Sequence, residues 1–303
     1  MKFLLARGAS VLVSASALVL GGCGADGPVV WPISGATDGD FPLSSTFGPR
    51  VRTDDDVYDF HRGIDIAVPE GTDIYSIAAG VVSEIQEDTS AGGMLVKVDH
   101  GSYYSTYVHC SEVDVDVGDR VDAGEFIAES GKASNGFAHL HFEIRKPGDN
   151  KKDCVHPLDV LPYTDKGAPT LEIGKVDMTT PLQPKVTVTA RVGAGELDLR
   201  SVSVATYEAD AAAILEGLVP LSERTYDIET WNRTYTSSES DVVIDDPNNE
   251  GILVRPQKYN NTMPAQEIDF TFTGLVGTVT SGMLRVRAVA VDVKGNKISV
   301  ESQ

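Results

Sequence analysis

Residues 61–86 read HRGIDIAVPEGTDIYSIAAGVVSEIQ, a stretch without helical periodicity in which short apolar runs are punctuated by glycine. Within GIDIAV and IAAGVVSEIQ the runs are too short for a helix and suit strands closed by turns. The pattern continues outward through MLVKVDH (94–100), YYSTYVH (103–109), FIAES (126–130) and HLHFEI (139–144). VDVGDRVDAGEF and SGKASNGF supply the hairpin and loop connections between them. Regularly spaced short strands with almost no helical pattern predict an all-β domain over residues 41–162.

Prolines and glycines cluster at 162–174, and a second strand-rich region, 163–303, follows. In KVTVTARV, Val186, Val188, Ala190 and Val192 share one face. In MLRVRAVAVDV, Leu284, Val286, Ala288 and Ala290 share one face while Arg285 and Arg287 point away. The alanine-rich run Tyr207–Leu218 is the one expected helix. This region has no histidine and no cysteine, and a β-sandwich serving as a spacer or contact surface accounts for it. AVAVDVKGNKIS resembles the last hairpin of bacterial immunoglobulin-like domains.

The chain has 303 residues, 41% hydrophobic and 23% charged, the balance of a globular protein of one large or two ordinary domains. A net charge of −20 argues against electrostatic binding to nucleic acid or to an anionic membrane surface. The N-terminus is more specific. Lys2 and Arg7 precede a short apolar core, Ala9–Leu20, and that core falls short of the roughly 20 residues needed to span a bilayer. Residues 1–22 therefore read as a signal peptide. Leu20-Gly21-Gly22-Cys23 resembles the bacterial lipobox, which makes Cys23 the expected lipidated N-terminus. Residues 23–40, rich in Gly, Pro and Asp, are the expected tether. Such a protein is exported and held by its lipid at the periplasmic or outer-membrane face of the bacterial envelope. Export leaves Cys110 and Cys154 as an even pair in an oxidising compartment, and a disulfide is expected between them. It would close a loop of about 45 residues, for roughly 4 kcal/mol in the chain-entropy model.

Four of the six histidines lie where they can act together. His61 and Asp65, four apart in an extended segment, share a face. His139 and His141, two apart, do likewise. His109 ends YYSTYVH. Each motif alone is weak. Together they offer the imidazole and carboxylate donors of a zinc site that keeps one position open for water.

The segment from STFGPRV (45–51) through HRGIDIAVPEGTDIYSIAAGVV, VKVDHGSYYSTYVH and VDVGDRVDAGEFIAESGKASNGFAHLHFEI to HPLDVLP resembles the lysostaphin/LytM-type zinc endopeptidases, which cut the peptide part of peptidoglycan. The resemblance spans about 120 residues and excludes the C-terminal region. It implies a groove-bearing antiparallel β domain holding one zinc ion per chain. His61, Asp65 and His141 are then the ligands, and His109 and His139 the catalytic pair. Two imidazoles and one carboxylate leave a site of net charge +1, suited to acidify water and polarise a carbonyl. One of His109 and His139 would take the proton from water while the other serves the oxyanion or the leaving amine; the sequence leaves that division open.

Glu143 has the parity of His139 and His141, so it is either a partner of an imidazole or a solvated strand carboxylate. His100 and His156 read as turn or packing histidines, Tyr58 as groove wall, and the acidic run TDDDVYD before His61 as a solvated loop. The family pattern usually has leucine where Cys110 stands, and NGFAHLH replaces the more usual STGPHLH. The expected partners are a peptidoglycan peptide, the membrane through Cys23 and an envelope protein at the C-terminal domain, for a monomeric enzyme. The alternative expectation is a non-catalytic factor of the same fold that activates a cell-wall amidase.

Overall fold

The computed structural model describes residues 27–33, 43–51, 58–87, 90–165, 167–178, 185–194, 197–234, 244–245, 251–256 and 266–302. The expected signal peptide, Cys23 and most of the acidic run before Tyr58 lie outside the described residues. No helix among those described is long and apolar enough to cross a membrane.

The first half is built from β1 (Leu43–Ser45), β2 (Gly48–Val51), β3 (Tyr58–His61), β4 (Ile64–Ile66), β5 (Asp73–Tyr75) and β6 (Gly80–Glu87). It continues with β7 (Met94–Asp99), β8 (Tyr104–Val113), β9 (Arg120–Val121), β10 (Phe126–Ser130), β11 (Leu140–Arg145) and β12 (Cys154–Val155). Ten of these form one antiparallel sheet with the spine β1-β4-β11-β8-β7-β6-β9; β12 extends β11, while β10 pairs with β5 and β8. The remaining two, β2 and β3, form a separate hairpin.

The alternation expected of HLHFEI is realised on β11. Leu140, Phe142 and Ile144 enter a core with Ile64, Ile66 and Tyr107, while His141 faces the opposite side toward Asp65.

The second half contains β13 (Thr170–Met178), β14 (Lys185–Ala194), β15 (Leu199–Ala209), β16 (Ser222–Asp227), the helix α1 (Ile228–Thr234), β17 (Ile244–Asp245), β18 (Ile252–Pro256), β19 (Gln266–Val276), β20 (Met283–Asp292) and β21 (Lys297–Ser302). Two sheets, β13-β14-β19-β18-β17 and β16-β15-β20-β21, enclose one core between them. Val188, Phe270 and Phe272 from one sheet meet Val204, Val286 and Ala288 from the other. The chain is all-β, as the sequence predicts, with a single short α-helix among the described residues, Ile228–Thr234.

That core is not confined to the second half. Phe47, Phe60 and Cys154 belong to it, so the inner face of the β2–β3 hairpin is covered by the sandwich. Tyr58 packs against the same cluster rather than lining a groove.

Three further expectations are corrected. Residues 27–33 of the supposed tether are part of the fold. Val30 N donates to Ile77 O (2.8 Å), Tyr75 N to Pro32 O (2.8 Å), and Trp31 and Ile33 are buried in the first core.

Tyr207–Leu218 is not a helix: Tyr207 to Ala209 complete β15, and turns follow. The Arg285 guanidinium takes the carbonyls of Asp210 and Ala213, and Gly217 at φ 85° followed by Pro220 closes the run. The stretch left over is too short to offset the cost of nucleating a helix.

The Cys110–Cys154 disulfide is also absent; both are buried free thiols. Cys154 pairs with Arg145, which in turn pairs with Tyr104, six residues along β8 from Cys110. At about 3.3 Å per strand residue the two lie roughly 20 Å apart, against a bridging limit of about 7 Å between Cα atoms. Each thiol has its own acceptor instead, Tyr107 O for Cys110 (3.7 Å) and Glu143 Oε2 for Cys154 (3.6 Å). Burial pushes the Cys110 thiol up to about 12. In protein beginning at residue 24, thiol reagents will therefore count two thiols per chain in denaturant and none in the folded state. A reductant will leave Tm unchanged. One bridge per chain on mass analysis would refute the assignment.

Candidate metal centre

The register of the main sheet brings the centre together. Asp65 on β4 stands directly opposite His141 on β11, and His61 at the end of β3 reaches them across the turn at Gly63. A Cβ on Gly63 would lie 2.5 Å from Phe142 O and 2.9 Å from the His141 ring, so this turn is open only to glycine. Asp65 Oδ1 is 2.9 Å from His141 Nδ1 and 3.1 Å from His61 Nε2, and those two nitrogens are 2.9 Å apart. Donors around a tetrahedral zinc stand about 3.3 Å apart, so the three atoms form a triangle of the right size.

The far side of each ring shows which nitrogen is free. His61 Nδ1 is 2.9 Å from the Thr46 carbonyl, which can only accept, so Nδ1 carries the proton and Nε2 presents its lone pair to the centre. His141 Nε2 is 3.1 Å from Glu143 Oε1. Burial opposes ionisation of Glu143, but His141 and Arg145 hold its carboxyl at about 2. It is an acceptor, and His141 Nδ1 is left for the metal. Such outer hydrogen bonds fix both tautomer and ring orientation. The Asp65 carboxylate is held in the same way: Arg50 Nη1 donates to Asp65 Oδ2 (3.1 Å), and Arg50 Nε to Asp59 Oδ1 (2.9 Å). Arg145 Nε donates to Glu143 Oε2 (2.7 Å).

His109 arrives by a different device. Met94 pairs with Cys110 and Leu95 with Val108, so His109 is the extra residue of a bulge in β8. Its φ of 67° lies in the left-handed region, uncommon outside glycine. Bulges of this kind redirect a side chain beside active sites. Gly93 makes room for it, since a Cβ there would lie 2.7 Å from Cys110 O and 3.1 Å from His109 Cα. His109 Nδ1 donates to Gly92 O (2.9 Å), which leaves Nε2 as an acceptor. Burial, aided by the nearby histidines, lowers its pKa to about 4, so the ring is neutral at physiological pH.

His139 stands beside it with ring centroids 4.7 Å apart, and its Nε2 is 3.7 Å from Asp65 Oδ1. All five residues line one groove of about 730 Å³. His61, Asp65 and His141 each offer one donor atom, close enough together to hold a metal ion, and His109 and His139 stand beside that trio.

The sequence left Glu143 undecided and missed Arg145 and Arg50. Glu143 and Arg145 continue the two-residue repeat of HLHFEIR, which was the available signal. Arg50 meets its carboxylates only through the hairpin and carries no local signal. His100, bonded to Ala79 O (2.9 Å) and Ser105 Oγ (2.8 Å), is structural. So is buried His156, 3.1 Å from Leu197 O.

The metal-free centre has a definite proton inventory. Burial works against a charged His141, but Asp65 and Glu143 outweigh it and raise its pKa to about 9. Burial and Arg50 lower that of His61. At pH 7 His141 is cationic and His61 neutral, so a metal must displace one proton. Calorimetry of zinc binding in buffers of different ionisation enthalpy will give about one proton released at pH 7. Affinity will rise about tenfold per pH unit until it levels near pH 9. Release of no proton at pH 7 would contradict this arrangement.

Residues 59–155 match the model of Peptidase family M23. An uncharacterized metalloprotease of Haemophilus influenzae is 37% identical over 115 residues, which cover 37% of this chain and 23% of that protein. The uncharacterized lipoprotein YgeR of Escherichia coli is 35% identical over 103 residues, 34% of this chain and 39% of the relative. The peptidoglycan DD-endopeptidase ShyA of Vibrio cholerae is 34% identical over 110 residues, 35% of this chain and 25% of the relative. The chain thus spans well under half the length of each of these relatives.

Proposed function

We propose that the chain, whose residues 59–155 match Peptidase family M23, is a zinc-dependent endopeptidase that hydrolyses peptide bonds of peptidoglycan in the bacterial envelope. The observation that carries the reading is the convergence of three lone-pair donors, His61 Nε2, Asp65 Oδ1 and His141 Nδ1, beneath two further imidazoles in an open groove. The peptidoglycan substrate is taken from the resemblance and from the relative named for that activity. Anchorage through Cys23 is taken from the lipobox-like sequence, with a lipoprotein among the relatives. In this reading residues 41–162 are the catalytic domain and 163–303 the accessory sandwich.

His61, Asp65 and His141 would hold a zinc ion, which would supply Lewis acidity toward the scissile carbonyl and toward the attacking water. The remaining chemistry falls to side chains. His109 is the proton acceptor: its Nδ1–H is committed to Gly92 O, its Nε2 lone pair is free, and its low pKa keeps it neutral. His139, on the same face as His141, attends the oxyanion and returns a proton to the leaving amine. Glu143 and Arg50 hold the rings and carboxylate in the metal-binding orientation. All five expected residues stand together, which favours an enzyme over a non-catalytic activator.

The test is asymmetric. His141→Ala will lose zinc, whereas His139→Ala and His109→Ala will keep it and lose turnover by about 10²-fold or more. Purified peptidoglycan treated with the zinc-loaded protein will release fragments cut at a peptide bond, identified by mass spectrometry and absent after chelation. Intact peptidoglycan from several wall types, despite full zinc loading, would refute the activity. Equal loss of metal in His139→Ala and His141→Ala would refute the division of roles.

A further inference from the structure

The strand that carries His61 is not part of the ten-stranded sheet. Among the described residues β3 pairs only with β2, and this two-stranded hairpin has its apolar side buried in the sandwich. Phe47 and Phe60 meet edge to face at 5.4 Å inside the cluster that holds Tyr226, Ile228 and Trp231. At Gly48, φ 117°, an added Cβ would lie 2.5 Å from Ile228 Cδ1, so the hairpin rests directly on the start of α1.

One residue of α1 joins this hairpin to the other ligand-bearing strand. Asn232 is fully buried. Its Oδ1 accepts from Arg62 Nε (2.9 Å), on the residue that follows His61. Its Nδ2 donates to Cys154 O (2.9 Å), with Lys151 O and Lys152 O at 3.3 Å. Cys154 lies on β12, paired with β11, and its thiol donates to Glu143, the partner of His141. A single amide therefore spans the back of the centre, from the His61 hairpin to the strands that hold His141.

We propose that Asn232 is a positioning residue of the metal centre, fixing the His61 hairpin against the β11–β12 pair, and that the C-terminal sandwich is thereby a working part of the catalytic unit. This rests on the reading of His61, Asp65 and His141 as a zinc site. A buried amide satisfied on both ends leaves unpaired groups when it is removed. Here those groups are Arg62 Nε and the Cys154 carbonyl, each one covalent step or one hydrogen bond from a residue that orients a ligand. The role predicted for the sandwich from sequence, a spacer or contact surface, is too passive.

The test compares the full protein with Asn232→Ala, Arg62→Ala, the double variant and Leu275→Ala. Leu275 is buried in the sandwich next to Val276, whose N–H bonds Ser222 at the end of β16 opposite α1, so its truncation loosens the sandwich away from the hairpin. Zinc affinity is read by competition with a chelator, and Tm is read on metal-free protein. Asn232→Ala and Arg62→Ala will each weaken zinc binding by about tenfold, the lower end for residues that orient metal ligands. The double variant will be no weaker than the worse single one, because both cut the same link. Leu275→Ala will lower Tm and leave zinc affinity unchanged.

Wild-type zinc affinity in both single variants would overturn the proposal, whatever happens to Tm, and so would fully additive losses. If Asn232→Ala does not fold, Arg62→Ala decides alone by the same criterion. Failure of the wild-type protein to take up zinc would overturn the underlying metal reading, and is distinguished by appearing before any variant is compared.

Discussion

Asp65 and His141 face each other across the β4–β11 ladder, and everything else in the groove is arranged around that cross-strand pair. A strand has a side-chain period of two, so a slip of one residue would turn both groups into the apolar core. The register is fixed from behind by Ile64, Ile66, Leu140 and Phe142, all fully buried. The apolar layer thus specifies the polar one. Along that polar layer the charges alternate in sign: Asp59, Arg50, Asp65, His141, Glu143, Arg145, each contacting the next at 2.7–3.1 Å. Buried charges are tolerated only when paired and hydrogen-bonded, and the loss of one partner costs about 3–5 kcal/mol. In the metal-free row His141 is the one cation whose charge rests on a dissociable imidazole proton, which a bound metal would replace.

The groove face of β11 was legible because it obeys a local rule. His141 keeps the strand parity expected of it and stands opposite Asp65 on β4, whereas His61 ends a separate hairpin and His139 precedes β11, so parity alone does not bring those two to the groove. Glu143 and Arg145 extend the same parity. Their partners, each other and His141, are set by the fold.

What the sequence could not disclose depends on distant geometry. Cys110 and Cys154 are an even pair by count, yet strand register holds them far apart. The 207–218 run has helical composition, but Arg285 from β20 captures the carbonyls a helix would need. The helix that does form, Ile228–Thr234, is two turns of mixed residues with no repeat long enough to reveal a period. His109 gave its chemistry away by its type but not its backbone, since nothing in YYSTYVHC announces a left-handed residue in mid-strand.

The shared core also bears on how the chain comes into being. Phe47 and Phe60 lie in a core whose other buried members, Cys154 apart, run from Leu171 to Ala290. A growing polypeptide that has emerged as far as residue 162 contains all five groove residues, yet the hairpin bearing His61 still exposes its greasy side to water. Contacts of such sequence separation form late, because the intervening loop must first be closed. The half that carries the groove is thus synthesised first and completed last. A premature stop or a proteolytic nick in the sandwich would strip the support from a groove whose own residues are untouched, so the fold itself ties the assembly of the groove to the arrival of the intact chain.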